Sequence, residues 1–213
     1  MDKFKIIHNY VIDFIKNQIE PKGFTYHNLE HTLFVVERSN YLAKKEWLSK
    51  EAVDKIKTAA YFHDLWLVYW DYKDHENKSV EIFRSFNRKN KLFSKEEEDD
   101  IADIILATKM IINFPKKIEH KIIKDADLDN LWRDDFFINS SNLYNEFKNI
   151  LKNDVPSFEE FLVNTYENFK DFCFYTNTQK KERLAKWKEN LNILKCLVEK
   201  GKSCFYFDKV FTF

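Results

Sequence analysis

Only two glycines and three prolines punctuate the 213 residues of this chain. Sheets that close into sandwiches or barrels turn their corners with Gly- and Pro-rich loops, so this scarcity points to helices. It also excludes two kinds of nucleotide site. A dinucleotide fingerprint needs clustered glycines, as does a phosphate-cradling P-loop, whereas Gly23 and Gly201 lie near opposite ends of the chain. With 44% hydrophobic residues, 21 of the side chains being Phe, there is enough apolar material for a packed core. Lys+Arg and Asp+Glu balance at 35 each, which leaves no broad field to draw in nucleic acid or an anionic membrane.

Apolar residues recur at helical intervals almost everywhere. Phe4, Ile7, Val11, Phe14 and Ile15 mark a first helix over 3–18, ended by Pro21-Lys22-Gly23. A second is expected from near Tyr26 to about Lys45, and a third from the Ser49 cap to Asp64. Residues 65–74 show no helical stripe and read as a loop. Further helices are expected from His75 to Lys89 and from the Ser94/Glu97 capping box to about Met110. Others should run from Pro115 through Asp127, from Pro156-Ser157 to Phe174, and from Thr178 to Gly201. The aromatic tail after Gly201 reads as either a short strand or an extended strap. The expected architecture is all-α, one domain over 1–213 with a motif-bearing core at about 24–132 and a C-terminal helical lobe at about 136–213.

Cys173, Cys196 and Cys204 are odd in number and lack C-x-x-C spacing, so three reduced, buried thiols and a cytoplasmic location are expected. The N-terminus has no signal-peptide pattern. The apolar stretch 59–70 is short and interrupted by His63-Asp64, so no membrane span is expected.

Three segments share one chemical theme. In Tyr26-His27-Asn28-Leu29-Glu30-His31 the two histidines stand four apart, which on a helix is one face. His63-Asp64 ends the third helix, and Asp125-Ala126-Asp127-Leu128-Asp129 lies near the end of a later one. Imidazoles and carboxylates together suit a borderline divalent metal. Asp125 and Asp129 otherwise read as surface or capping charges, and Glu76 as a carboxylate favourably placed on a helix dipole.

The order Tyr-His-Asn-x-x-His, His-Asp, Asp-Ala-Asp-Leu resembles the HD superfamily of metal-dependent phosphohydrolases, in particular the bacterial group described as predicted metal-dependent HD phosphohydrolases. The likeness extends to Ala59-Ala60-Tyr61-Phe62-His63-Asp64, His75-Glu76-x-x-Ser79 and Leu106-Ala107-Thr108-Lys109, and spans roughly residues 24–132. Cyclic-nucleotide phosphodiesterases share a similar opening motif. The resemblance implies an HD-type helical bundle in which His31, His63, Asp64 and Asp127 are metal ligands, with Asp125 as the alternative to Asp127. It places His27 where phosphodiesterase-like members keep a histidine that protonates the leaving oxygen. Many two-metal members carry further histidines where this chain has Thr108-Lys109, which favours one ion here: Zn, Mn, Fe, Ni, Co or Mg.

Such a site accounts for phosphate-ester hydrolysis. The ion acidifies water and withdraws charge from phosphorus, a histidine protonates the leaving alkoxide, and a cation, here Lys109, neutralises the non-bridging oxygens. Trp66, Tyr69, Trp70 and Tyr72 offer faces on which a flat group can stack, and His75 and Glu76 stand with Trp66 and Tyr69 as candidate substrate contacts. The expected function is hydrolysis of a phosphoester or phosphoanhydride bond in a small, nucleotide-like substrate. The alternatives are a non-catalytic HD-fold sensor for a nucleotide or protein, with a structural metal, and a diiron oxygenase on the same fold. Substrate identity and oligomeric state are not encoded in any motif.

Overall fold

The computed structural model describes residues 2–69, 75–109, 115–151, 155–201 and 204. It is 80% helical, with nine α-helices and no strand among the described residues. The chain divides into two units, 1–127 and 128–213. The expected C-terminal lobe began near 136; the observed division follows Asp127 directly.

Unit 1 contains α1 (Lys3–Phe14), α2 (Leu29–Lys45), α3 (Lys50–Phe62), α4 (His75–Asn90), α5 (Lys95–Leu106) and α6 (Ile118–Asp127). Helix α3 is central and packs against α1, α2, α4, α5 and α6. Its position follows from its sequence, because Val53, Ile56, Ala59, Ala60, Tyr61 and Phe62 leave it apolar on most of its circumference. Phe62 is fully buried, with ring centroids 5.2 Å from both Phe83 and Phe86. Truncating such a side chain costs about 3–5 kcal/mol. The helix starts are capped as expected: Ser49 Oγ accepts from Ala52 N at 3.2 Å, and Ser94 and Glu97 form a reciprocal capping box.

Several boundaries differ from the sequence reading. Helix α1 widens into a π turn at Ile15–Ile19 and a 3₁₀ turn at Glu20–Lys22, and Gly23 supplies the left-handed φ of 81° that ends it. Helix α2 begins at Leu29 rather than Tyr26, because Asn28 is extended and caps it. The expected loop after α3 is a 3₁₀ turn over Leu65–Tyr69, with Leu65, Trp66 and Leu67 buried. Trp70, Tyr72, Met110 and nearly all of the aromatic tail lie outside the described residues.

Unit 2 contains a 3₁₀ turn at Leu128–Trp132 followed by α7 (Phe136–Leu151), α8 (Phe158–Phe169) and α9 (Asn177–Lys200). Its core gathers Leu131, Trp132, Phe136, Phe161, Leu194 and Leu197. Asp129 is fully buried and accepts from Gln179 Nε2 at 2.6 Å and from Arg183 Nε and Nη2, both at 2.9 Å. It is thus no surface charge. The thiols also depart from expectation. After Gly201, Cys204 N bonds to Gly201 O, and the returning chain joins Cys204 to Cys196 as a disulfide, while Cys173 is exposed.

Candidate metal centre

Each donor is held by the local structure of its own segment. Asn28 Oδ1 accepts from His31 N at 3.0 Å, and its carbonyl accepts from the Thr32 hydroxyl at 3.1 Å, so one residue sets the helical turn that carries His31. At the end of α3, His63 Nδ1 donates to Ala60 O at 2.8 Å. A carbonyl only accepts, so in the neutral ring the proton sits on Nδ1 and leaves Nε2 as a lone-pair donor to a metal. Ser79 Oγ donates to His63 O at 2.6 Å and accepts from Trp66 N at 3.1 Å, clamping both sides of the His63-Asp64 turn. Trp66 Nε1 donates to Asp64 Oδ1 at 3.4 Å. Asp127 is the last residue of α6.

These elements bring one donor atom each from His31, His63, Asp64 and Asp127 to within 4.8 Å of one another. His63 Nε2 lies 3.4 Å from His31 Nε2, 3.0 Å from Asp64 Oδ2 and 3.4 Å from Asp127 Oδ1. His31 Nε2 lies 3.3 Å from Asp64 Oδ2 and 3.4 Å from Asp127 Oδ1. Donors held about 2.1 Å from a common centre at 90–109° are separated by about 3.0–3.4 Å. The donor spacing therefore fits one divalent ion.

The electrostatics agree. Asp64 Oδ2 is buried and has no hydrogen-bond partner among the described residues. It faces His63 Nε2 at 3.0 Å, and with the proton on Nδ1 that nitrogen is another acceptor. Two acceptors in contact require positive charge between them. Burial pushes the His63 pKa down, yet the carboxylates of Asp64 and Asp127 outweigh it and raise it well above its usual value. The cluster draws in a cation or, failing that, a proton. The side chains of His31 and His63 are 8% and 0% exposed, those of Asp64 and Asp127 16% and 21%, so the carboxylate side is the open one.

Residues 28–129 match the family model of the HD domain. The chain carries an HD domain. No curated protein and no solved structure matches it. HD domains are commonly metal-dependent phosphohydrolases, and the four-donor cluster lies within the matched segment.

Around this HD cluster the other candidates fall at different distances. The His27 ring meets His31 edge-on, with centroids 5.7 Å apart. It lies before α2, so the expected shared helix face does not exist; the Asn28 cap brings the two rings together instead. Trp66 is buried with its ring 4.6 Å from that of His75, and His75 Nε2 is 2.7 Å from Glu76 Oε1. Glu76 stands in the first turn of α4, where a carboxylate favours the helix dipole, and is buried there. Tyr69 is half-exposed, with Lys78 Nζ 5.8 Å from its ring. Lys109 is half-exposed, its Nζ 3.9 Å from Glu76 Oε2. Asp125 is fully buried and outside the four-donor group, so it is neither a surface charge nor part of the cluster.

Lys124 escaped the sequence reading. It is buried three residues before Asp127, and its Nζ donates to Lys109 O at 2.6 Å. Burial lowers its pKa against the opposing pull of Asp127 and Glu76. A lysine among the apolar positions of α6 was the available signal. No helix among the described residues is long and apolar enough to cross a membrane.

Proposed function

We propose that unit 1 hydrolyses a phosphoester or phosphoanhydride bond in a small, nucleotide-like substrate, using one divalent ion held by His31, His63, Asp64 and Asp127. The observation that carries this reading is the convergence of four donors, the imidazoles enclosed and the carboxylate side open. When bound, such an ion supplies Lewis acidity toward water and a phosphoryl oxygen.

The chain's own residues do the rest. His27, beside the cluster and outside it, donates the proton that the leaving oxygen needs, which an imidazole does near neutral pH. Lys109 presents its half-exposed ammonium to the non-bridging oxygens, while Lys124 fixes its backbone through the Lys109 carbonyl. His75, with Glu76 behind the imidazole and Tyr69 at the rim, contacts the remainder of the substrate, while Trp66, buried and so without a free face for stacking, packs against the His75 ring.

The test is a panel of nucleotide mono-, di-, tri- and cyclic phosphates with several divalent metals, followed by two substitutions. His27→Ala should keep the metal and lose about 10²–10⁴-fold in rate, with a smaller loss for a nitrophenyl ester, whose leaving group needs little protonation. Asp64→Ala should lose the metal and the activity together. A metal-loaded chain inert toward the whole panel would overturn the reading. So would a His27→Ala chain that loses metal as readily as Asp64→Ala or slows good and poor leaving groups equally.

A further inference from the structure

Helix α2 uses one side for His31 and turns another to solvent. There a shallow groove of about 740 Å³ is lined by Leu29, Leu33 and Phe34, with Glu20, Glu30 and Glu37 among its walls. The three carboxylates are exposed, and none is held in an ion pair among the described residues. Phe34 and the two leucines are half-buried. An apolar floor with an acidic rim calls for an amphipathic segment of basic character.

The same chain carries such a segment. On α9, Lys180, Lys181, Leu184, Ala185 and Lys188 line one continuous surface. The three lysines are exposed and, among the described residues, none is held in an ion pair. Lys186, on a different side of the helix, pairs with Asp134 and Glu189.

The two surfaces share a register. Glu30 and Glu37 are seven residues apart and bracket Leu33-Phe34; Lys181 and Lys188 are seven apart and bracket Leu184-Ala185. Seven helical residues span about 10.5 Å, so the charges stand at matching heights on both helices. Laid antiparallel, Glu30 meets Lys188 and Glu37 meets Lys181. The bulky Leu33-Phe34 pair then meets the smaller Leu184-Ala185 pair, which lets the helices approach.

We propose that the α2 groove binds α9 of a second copy of this chain, reciprocally, in a two-fold dimer. The charge complementarity names the occupant: the acidic rim of the α2 groove faces the lysine-lined apolar strip of α9 at matching seven-residue spacing. A two-fold axis engages both at once and doubles the buried area, toward the roughly 800 Å² per partner of a stable interface. Asn28 lines the same groove, but none of the four metal donors does.

Sedimentation and light scattering on the full chain test this, with circular dichroism as the check of folding. The wild type should dimerise at or below about 100 µM and dissociate more readily as salt rises. Glu30→Lys with Glu37→Lys should be monomeric, and so should Lys181→Glu with Lys188→Glu, each at least about 10-fold weaker in self-association. Mixing the two folded variants should restore a dimer, because each groove then meets a helix of opposite charge. A wild type that stays monomeric, a dimer indifferent to either reversal, or a mixture that remains monomeric would each overturn the proposal. The last result also covers a groove occupied by its own chain or by another partner. Since metal binding and turnover do not depend on these four residues, failure here leaves the hydrolase reading intact, and the converse holds.

Discussion

Asp129→Ala removes the buried charge on which unit 2 is pinned. The carboxylate is fully buried and takes three donated hydrogen bonds, at 2.6, 2.9 and 2.9 Å, from Gln179 and Arg183. Alanine takes that acceptor away and leaves the guanidinium without its bidentate partner. Removing one side of a buried pair costs about 3–5 kcal/mol. The Arg183 side chain is 28% exposed, so water solvates part of what is left, and a loss near 3 kcal/mol is expected. With a urea dependence of about 1–3 kcal/mol/M, the unfolding midpoint of unit 2 falls by about 1–3 M. Hydrogen exchange resolves this unit by unit: the α9 amides should exchange about 100-fold faster, with those of α3 unchanged. Asp129→Ala combined with Arg183→Ala should cost clearly less than the two singles added together. A loss below about 1 kcal/mol, or strict additivity of the pair, would refute the argument.

Two further outcomes follow from unit 1. Ser79→Ala deprives His63 O and Trp66 N of their shared hydroxyl; it should lower stability by about 1–3 kcal/mol and weaken metal binding about 10–100-fold, read by titration calorimetry. Glu98 has a lowered pKa because Asn87 Nδ2 and Lys95 bond to it against the opposing effect of burial. Its contribution is therefore complete above its ordinary value of 4.5 and is lost as pH falls through the lowered one. Glu98→Gln should flatten the acid limb of the stability curve below that value, and an unchanged limb would count against it.

Local signals in the sequence were sufficient at two helix starts whose partners lie within one helical turn. Ser94 finds Glu97 and Ser49 finds Ala52 three residues on, and both helix starts stand where the spacing puts them. The candidate metal cluster was legible for a different reason: histidine is scarce, 6 in 213 residues, and two of the six stand with Asp in a recognisable order, the same four residues that the structure brings together. The errors concern partners distant in sequence. Asp129 looks like a capping charge until Gln179 and Arg183, 50 and 54 residues away, turn it into a buried ion pair. Lys124 drew no notice in the sequence because the Lys109 carbonyl that accepts from it lies 15 residues earlier. Likewise, the start of α2 depends on the extended backbone of Asn28, which periodicity alone does not reveal.

That the donors come from three separated segments bears on how the chain matures. His31, His63 and Asp64 are all present once Asp64 has been made, but Asp127 follows 63 residues later. At a synthesis rate of about 5–20 residues per second, the emerging chain spends roughly 3–13 s with three donors and no fourth. It also lacks α6, the helix that must pack on α2 and α3 to bring that carboxylate in. An ion met during this interval finds an incomplete ligand set on an unfinished bundle. An ion held by the four donors would consequently be chosen by the folded unit and the ions around it, after the ribosome has passed Asp127.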